Sequence, residues 1–160
     1  MKEKIAQTDS NTEKKSHGCS GSSSGGCCQG GGGCGSGDSL ELNQWPIQLH
    51  LVDLESSDFK EADLVISADC APFAYPKFHE RFLKGKKLLT LCPKSDIDQE
   101  SYVEKLTRLF KTQNIRSVTL VRMEASCCSG IEQAVEKALG DSGVNVLIKE
   151  YIISSKGEIV

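Results

Sequence analysis

Between Ser117 and Gly140 the chain changes its hydrophobic period. Ser117 to Met123 is a β-rich apolar run that reads as a strand, Cys127-Cys128-Ser129-Gly130 reads as a turn, and the residues from Ile131 read as a helix. Ile131, Ala134, Val135, Ala138 and Leu139 fall at i, i+3, i+4, i+7 and i+8, the spacing of one helical face laid on a sheet, and Gly140 is the expected stop. The same alternation recurs upstream. Ile47 to Val52 alternates as a half-covered strand, a helical turn begins near Ser57, and Ala62 to Ala68 reads as a buried strand ending in Asp69-Cys70. Pro72 and Pro76 delay the next helix to residues 76–84, with Phe78 and Phe82 inward and Gly85 as its end. Leu88 to Leu91 is a further short strand, ending in Cys92-Pro93. An N-cap within Asp96 to Asp98 then starts a helix whose stripe is Tyr102, Val103, Leu106, Leu109 and Phe110. Val144 to Ile153 reads as a long strand that Ser155-Lys156-Gly157 turns towards Glu158-Ile159-Val160 as a hairpin.

Strands alternating with helices predict an α/β fold: a mainly parallel sheet with flanking helices and a C-terminal antiparallel hairpin. That domain is expected over residues 41–160. Before it the pattern disappears. Met1 to Lys15 is polar without periodicity, and Ser16 to Ser39 is almost wholly Gly, Ser and Cys, so residues 1–40 read as a disordered Gly/Ser/Cys-rich tail with too little apolar surface to offset its ordering entropy.

Charge and length narrow the function. A formal charge of −3 over 160 residues lacks the dense basic surface that nucleic acid requires, and no nucleic-acid partner is expected. No segment approaches the roughly 18 consecutive apolar residues of a membrane span, and the N-terminus has no secretory apolar stretch. The expected setting is the cytoplasm, with no membrane partner.

Eight cysteines change the picture most. Thiols stay reduced in the cytosol, so such a count points to metal binding or thiol chemistry. Cys70, Cys92, Cys127 and Cys128 all fall where a strand ends, and the carboxyl ends of parallel strands share one edge of the sheet. The free N–H groups of a following helix also favour the thiolate form of at least one of Cys127 and Cys128. These four are the candidate cofactor and metal ligands, with the tail's Cys19, Cys27, Cys28 and Cys34 as further candidate metal ligands. The tail spacing, Cys-x7-Cys-Cys-x5-Cys, matches no paired C-x-x-C zinc or ferredoxin pattern. His50 falls on the polar side of its strand and His79 on a helix, and both read as ordinary surface histidines. There is no G-x-S-x-G, H-E-x-x-H, P-loop or dinucleotide fingerprint, and no catalytic residue is assigned. Single cysteines from separated loops suit a wide iron-sulfur cluster better than one small ion.

The segments WPIQLHLV, ADLVISADCAPFAYPKFHERFLKGKKLL, CPKSD, YVEKL and VRMEASCCSG together resemble a domain of anaerobic bacteria and archaea described as a 4Fe-4S ferredoxin or iron-sulfur binding protein. In that family the domain follows a two-cluster ferredoxin with C-x2-C-x2-C-x3-C-P runs, which this chain lacks. Gly18-Cys19-Ser20-Gly21-Ser22 is similar to the family's Gly-Cys-Pro-Gly-Ser segment, with serine in place of proline. The resemblance implies a 4Fe-4S cluster and electron transfer in an anaerobe, with a ferredoxin or other redox protein as partner. An oxidoreductase component is one possibility it leaves open. The residues alone leave a second reading: a thiol or metal-handling protein that binds zinc or iron without electron transfer.

Overall fold

A computed structural model describes residues 3–4, 41–95 and 99–160, with side chains from 41 to 95 and from 100 onward. The rest of the expected tail, its four cysteines and the expected cap at Asp96 to Asp98 lie outside the described residues.

The strands are β1 (Glu3–Lys4), β2 (Asp63–Ala68), β3 (Lys87–Leu91), β4 (Ser117–Met123) and β5 (Leu147–Ile153), in the order β1-β5-β4-β2-β3. Every ladder is parallel. Leu64, Val65, Ile66 and Ala68 of β2 are buried, as a central parallel strand covered on both faces requires. Glu3–Lys4 pairs with Lys149 and Glu150, so the polar lead contributes two strand residues where the sequence pattern predicted none.

The helices are α1 (Ala71–Ala74), α2 (Gln99–Gln113) and α3 (Ser129–Ser142). Alternate strand residues face opposite sides, and the contacts identify what covers each. Arg122 of β4 reaches Glu132 of α3, and Thr107 of α2 bonds the carbonyl of Ala138 in α3, so these two helices lie on one face. Thr119 accepts a bond from Lys86, and Tyr151 packs on Phe82 with ring centroids 5.1 Å apart, so the β2–β3 connection covers the other. The chain crosses from β3 over β2 to reach β4. The order therefore reverses between β2 and β4, the topological switch point of an open α/β sheet.

Several expected elements are corrected. The antiparallel hairpin is absent: beyond Ile153 the chain makes one isolated antiparallel bridge, Ile153 to Ile159, and no second strand. Ile47 to Val52 is not a strand, because after a single bridge from Gln48 to Thr90 the N–H groups of Leu51 and Val52 turn back to the Gln48 carbonyl. Helix 76–84 is replaced by α1, which starts directly after Cys70 with a proline in its first turn, and by a five-residue π-type turn at His79–Leu83. Proline is tolerated there because a first-turn N–H has no helical partner to lose. Phe78 and Phe82 are nonetheless buried. Gly140 lies inside α3, whose end is Gly143 in the left-handed region at φ 70°. Tyr102, Leu106, Leu109 and Phe110 form the buried stripe of α2 as expected, with Val103 half-buried.

Candidate functional site

All four described cysteines follow the carboxyl ends of strands. Cys70 begins the turn into α1, Cys92 follows β3, and Cys127 and Cys128 close a 3-10 turn between β4 and α3. None of the four forms a disulfide; Cys70 and Cys127 are exposed, Cys92 is half-buried and Cys128 is buried. β2 and β4 are adjacent at the switch point, which brings Cys70 towards the Cys127-Cys128 turn.

The Cys128 thiol feels those of Cys70 and Cys127. Burial is the main cause that pushes the Cys128 thiol up from its ordinary value of 9.0 to about 11; a backbone hydrogen bond from Met123 works against it, and Cys70 and Cys127 add to the rise. The expectation that the helix end would favour a thiolate therefore fails for Cys128. Its side chain sits 4% exposed at the helix start, and desolvation of a thiolate there is the largest influence on it.

Two close approaches hold the loops of this edge. A Cβ added at Gly130 would lie 3.0 Å from Pro93 Cβ and 3.3 Å from its Cγ, so the start of α3 presses against the residue after Cys92. At Gly157, φ is +80° and an added Cβ would lie 2.5 Å from the Ala74 carbonyl oxygen; only glycine fits where the last turn meets the end of α1. Further bonds close the same edge. The Glu124 N–H donates to the Ile153 carbonyl at 2.8 Å, and the Ser155 N–H donates to the Glu124 carboxylate at 2.8 Å, which holds that carboxyl below its usual range.

Beside Cys70 lies a largely apolar groove of about 610 Å³, lined among others by Trp45, Leu51, Pro72, Phe73, Phe78 and His79. Trp45, Leu51 and Phe73 are 79%, 60% and 92% exposed. The sequence pattern did not reveal it, since Leu51 was expected within a strand and Phe73 ahead of a helix. The ring of His79 lies edge-on to Phe78 with centroids 6.3 Å apart, and His50 is exposed.

The donor set suits a soft metal or an iron-sulfur cluster, because thiolate sulfur is the ligand both select. Among the described residues no three His, Cys, Asp or Glu side chains are gathered closely enough to hold one ion. The four thiols are spread along the edge, not drawn to a point.

An all-parallel open sheet with helices on both faces and a strand order that reverses at a switch point defines a Rossmann-like fold. Residues 56–160 match the Rossmann-like domain family, and the chain belongs to it. It is similar to an uncharacterized protein of Archaeoglobus fulgidus, 26% identical over 119 residues, which covers 74% of this chain and 83% of that one. No solved structure matches. No helix among the described residues is long and apolar enough to cross a membrane.

Proposed function

We propose that this protein carries a 4Fe-4S cluster at the carboxyl edge of its sheet and passes single electrons in the cytoplasm of an anaerobe. The observation that carries the reading is that Cys70 and the Cys127-Cys128 turn follow the adjacent strands β2 and β4 at the switch point, where Cys70 and Cys127 add to a rise in the Cys128 thiol that burial chiefly causes. Cys92 follows the neighbouring strand and completes a four-thiol donor set on one edge. Such a cluster supplies one-electron chemistry, while the chain's own part is to present thiolates, exclude water and bind a redox partner. Burial raises the pKa of the Cys128 thiol, so holding a cluster through that sulfur would release a proton.

The partner is a ferredoxin or another redox protein. Of the basic residues that follow the Cys70 turn, Lys77, Arg81, Lys84, Lys86 and Lys87, the last two are engaged towards the amino ends of the strands, Lys86 with Thr119 and Lys87 with Asp58.

Anaerobic reconstitution with iron and sulfide tests the reading. The expected product is brown, shows a reversible one-electron reduction with a paramagnetic signal, and loses most of its iron in Cys70→Ser and Cys92→Ser. Colourless protein that binds zinc through the same thiols would replace electron transfer with metal handling. That second reading rests on the donor chemistry, since thiolate sulfur is a ligand that zinc selects as well.

A further inference from the structure

Cys92 stands apart from the other three described cysteines, since no strand pairing links its loop to the β4–α3 junction; β2 separates β3 from β4. The two loops meet at Pro93 and Gly130. Pro93, the residue after Cys92, packs against Gly130, two residues after Cys128, so tightly that a methyl group at position 130 would meet the proline ring at 3.0 and 3.3 Å. Both partners are short and stiff. Proline has a fixed φ and no flexible side chain to swing aside, and Gly130 sits within the first turn of a fourteen-residue helix whose own hydrogen bonds fix its backbone. Such a contact transmits displacement and does not absorb it.

We propose that the Pro93–Gly130 contact is the spacer that sets the gap between the Cys92 thiol and those of Cys127 and Cys128, making Pro93 and Gly130 positioning residues of the thiol site. The part of this concerning cluster occupancy rests on the function proposed above; the part concerning geometry does not. A site built from thiols on separate loops works only when the loops are held to about half an ångström. In this edge the contact supplies that constraint for the one thiol whose strand is not adjacent to β4.

Gly140 provides an internal control. It lies in the same helix, and an added Cβ there meets nothing within 4 Å. Gly130→Ala and Gly140→Ala thus make the same chemical change to α3, one against Pro93 and one into open space. Pro93→Gly removes the contact from the other side without adding bulk.

The experiment treats the metal-free full chain, under anaerobic conditions, with homobifunctional thiol reagents of increasing span. Digestion with trypsin separates Cys92 on the peptide 88–94 from Cys127 and Cys128 on the peptide 123–137, so each cross-link is identified by mass. For wild type and Gly140→Ala the shortest effective reagent should be the same. In Gly130→Ala its cross-linking rate should fall about threefold to tenfold, less than the roughly 100-fold that a 1 Å misplacement costs an oriented reaction, and a longer reagent should recover it. Pro93→Gly should slow the short reagent too, and it carries the test if Gly130→Ala fails to fold by circular dichroism. Wild-type rates in both Gly130→Ala and Pro93→Gly would overturn the proposal. Iron content after reconstitution is read in parallel: altered cross-linking with no cluster in the wild type would sink the iron-sulfur reading and leave the spacer standing, whereas a cluster in the wild type with unaltered cross-linking in the variants would do the reverse.

Discussion

The two edges of the sheet are built from different materials. At the amino edge the ends are tied by charge and amide pairs: Arg116 to Asp63 at 2.7 Å, Ser117 to the same carboxylate at 2.7 Å, Lys87 to Asp58 at 3.2 Å, and the Gln113 side chain to the Leu54 carbonyl at 2.8 Å. At the carboxyl edge steric fit around two glycines is added to hydrogen bonds such as that from Ser155 to the Glu124 carboxylate, and the exposed chemistry includes sulfur. Polar ties of the first kind tolerate small displacements at little cost, because the pairs are partly hydrated. Steric contacts do not. A site that must keep several thiols in register is better served by the second kind, and the first suffices where the edge only has to stay closed.

The largest difference between the edges should come from Gly157→Ala, which combines a left-handed φ with a collision against the Ala74 carbonyl. We expect a loss of about 2–3 kcal/mol, read as a lower denaturation midpoint. An unchanged midpoint would mean the last turn is not clamped to α1. Cys128→Ser comes next, since it places a hydroxyl where the thiol is buried and should cost about 1–2 kcal/mol; Cys70→Ser, at an exposed position, should stay within about 0.5 kcal/mol. Equal losses in urea titrations of the two would erase the distinction between an exposed and a buried thiol. At the opposite edge, Arg116→Ala removes an ion pair whose arginine is 63% exposed and should cost about 0.2–1 kcal/mol, less at high salt.

The smallest net effect in the wild type is expected in alkali, because the two edges respond with opposite sign. Cys128 keeps its proton when folded up to about pH 11 but releases it near 9 when unfolded, so its contribution is complete below the unfolded value and is lost as pH rises through the folded one. Lys86, half-buried at the amino edge, has its pKa lowered chiefly by desolvation; the folded chain gives up that proton first, and stability rises with pH across the interval up to the ordinary 10.5. Stability measured from pH 8 to 11 should therefore fall less steeply in Cys128→Ala and more steeply in Lys86→Met than in wild type. Parallel curves for all three would contradict both assignments.

The repeating strand-to-helix pattern made the fold class legible, because parallel strands buried on both faces leave long apolar runs such as Leu64 to Ala68. The placement of the cysteines at strand ends was legible for the same reason. What escaped was anything decided by tertiary contact. Gly130 reads as a turn residue in sequence, yet its role is to admit Pro93; nothing local distinguishes it from Gly140, which has open space. The segment from Ile47 to Val52 alternates like a strand, but its side chains alternate between core and groove across a turn, burying Leu49 and Val52 and exposing Leu51. Likewise the position of Cys127 and Cys128 before a helix points to a thiolate at one or the other, and only the fold shows that burial pushes the Cys128 thiol the opposite way.

The segment before that turn lies along the outer side of β3. The side-chain amide of Gln44 donates to the Leu88 carbonyl and accepts from the Leu88 N–H at 3.1 Å, as a neighbouring peptide group would; the Ile47 carbonyl then accepts from the Thr90 N–H at 2.8 Å and the Leu49 N–H donates to the Thr90 carbonyl at 2.9 Å. An open strand border is a template on which other chains add and fibrils grow. Over Leu88 to Thr90 this border is already filled from within the molecule, by a side chain posing as backbone and a single bridge, so a concentrated solution of the protein has no free β3 ladder at those residues on which to begin aggregation.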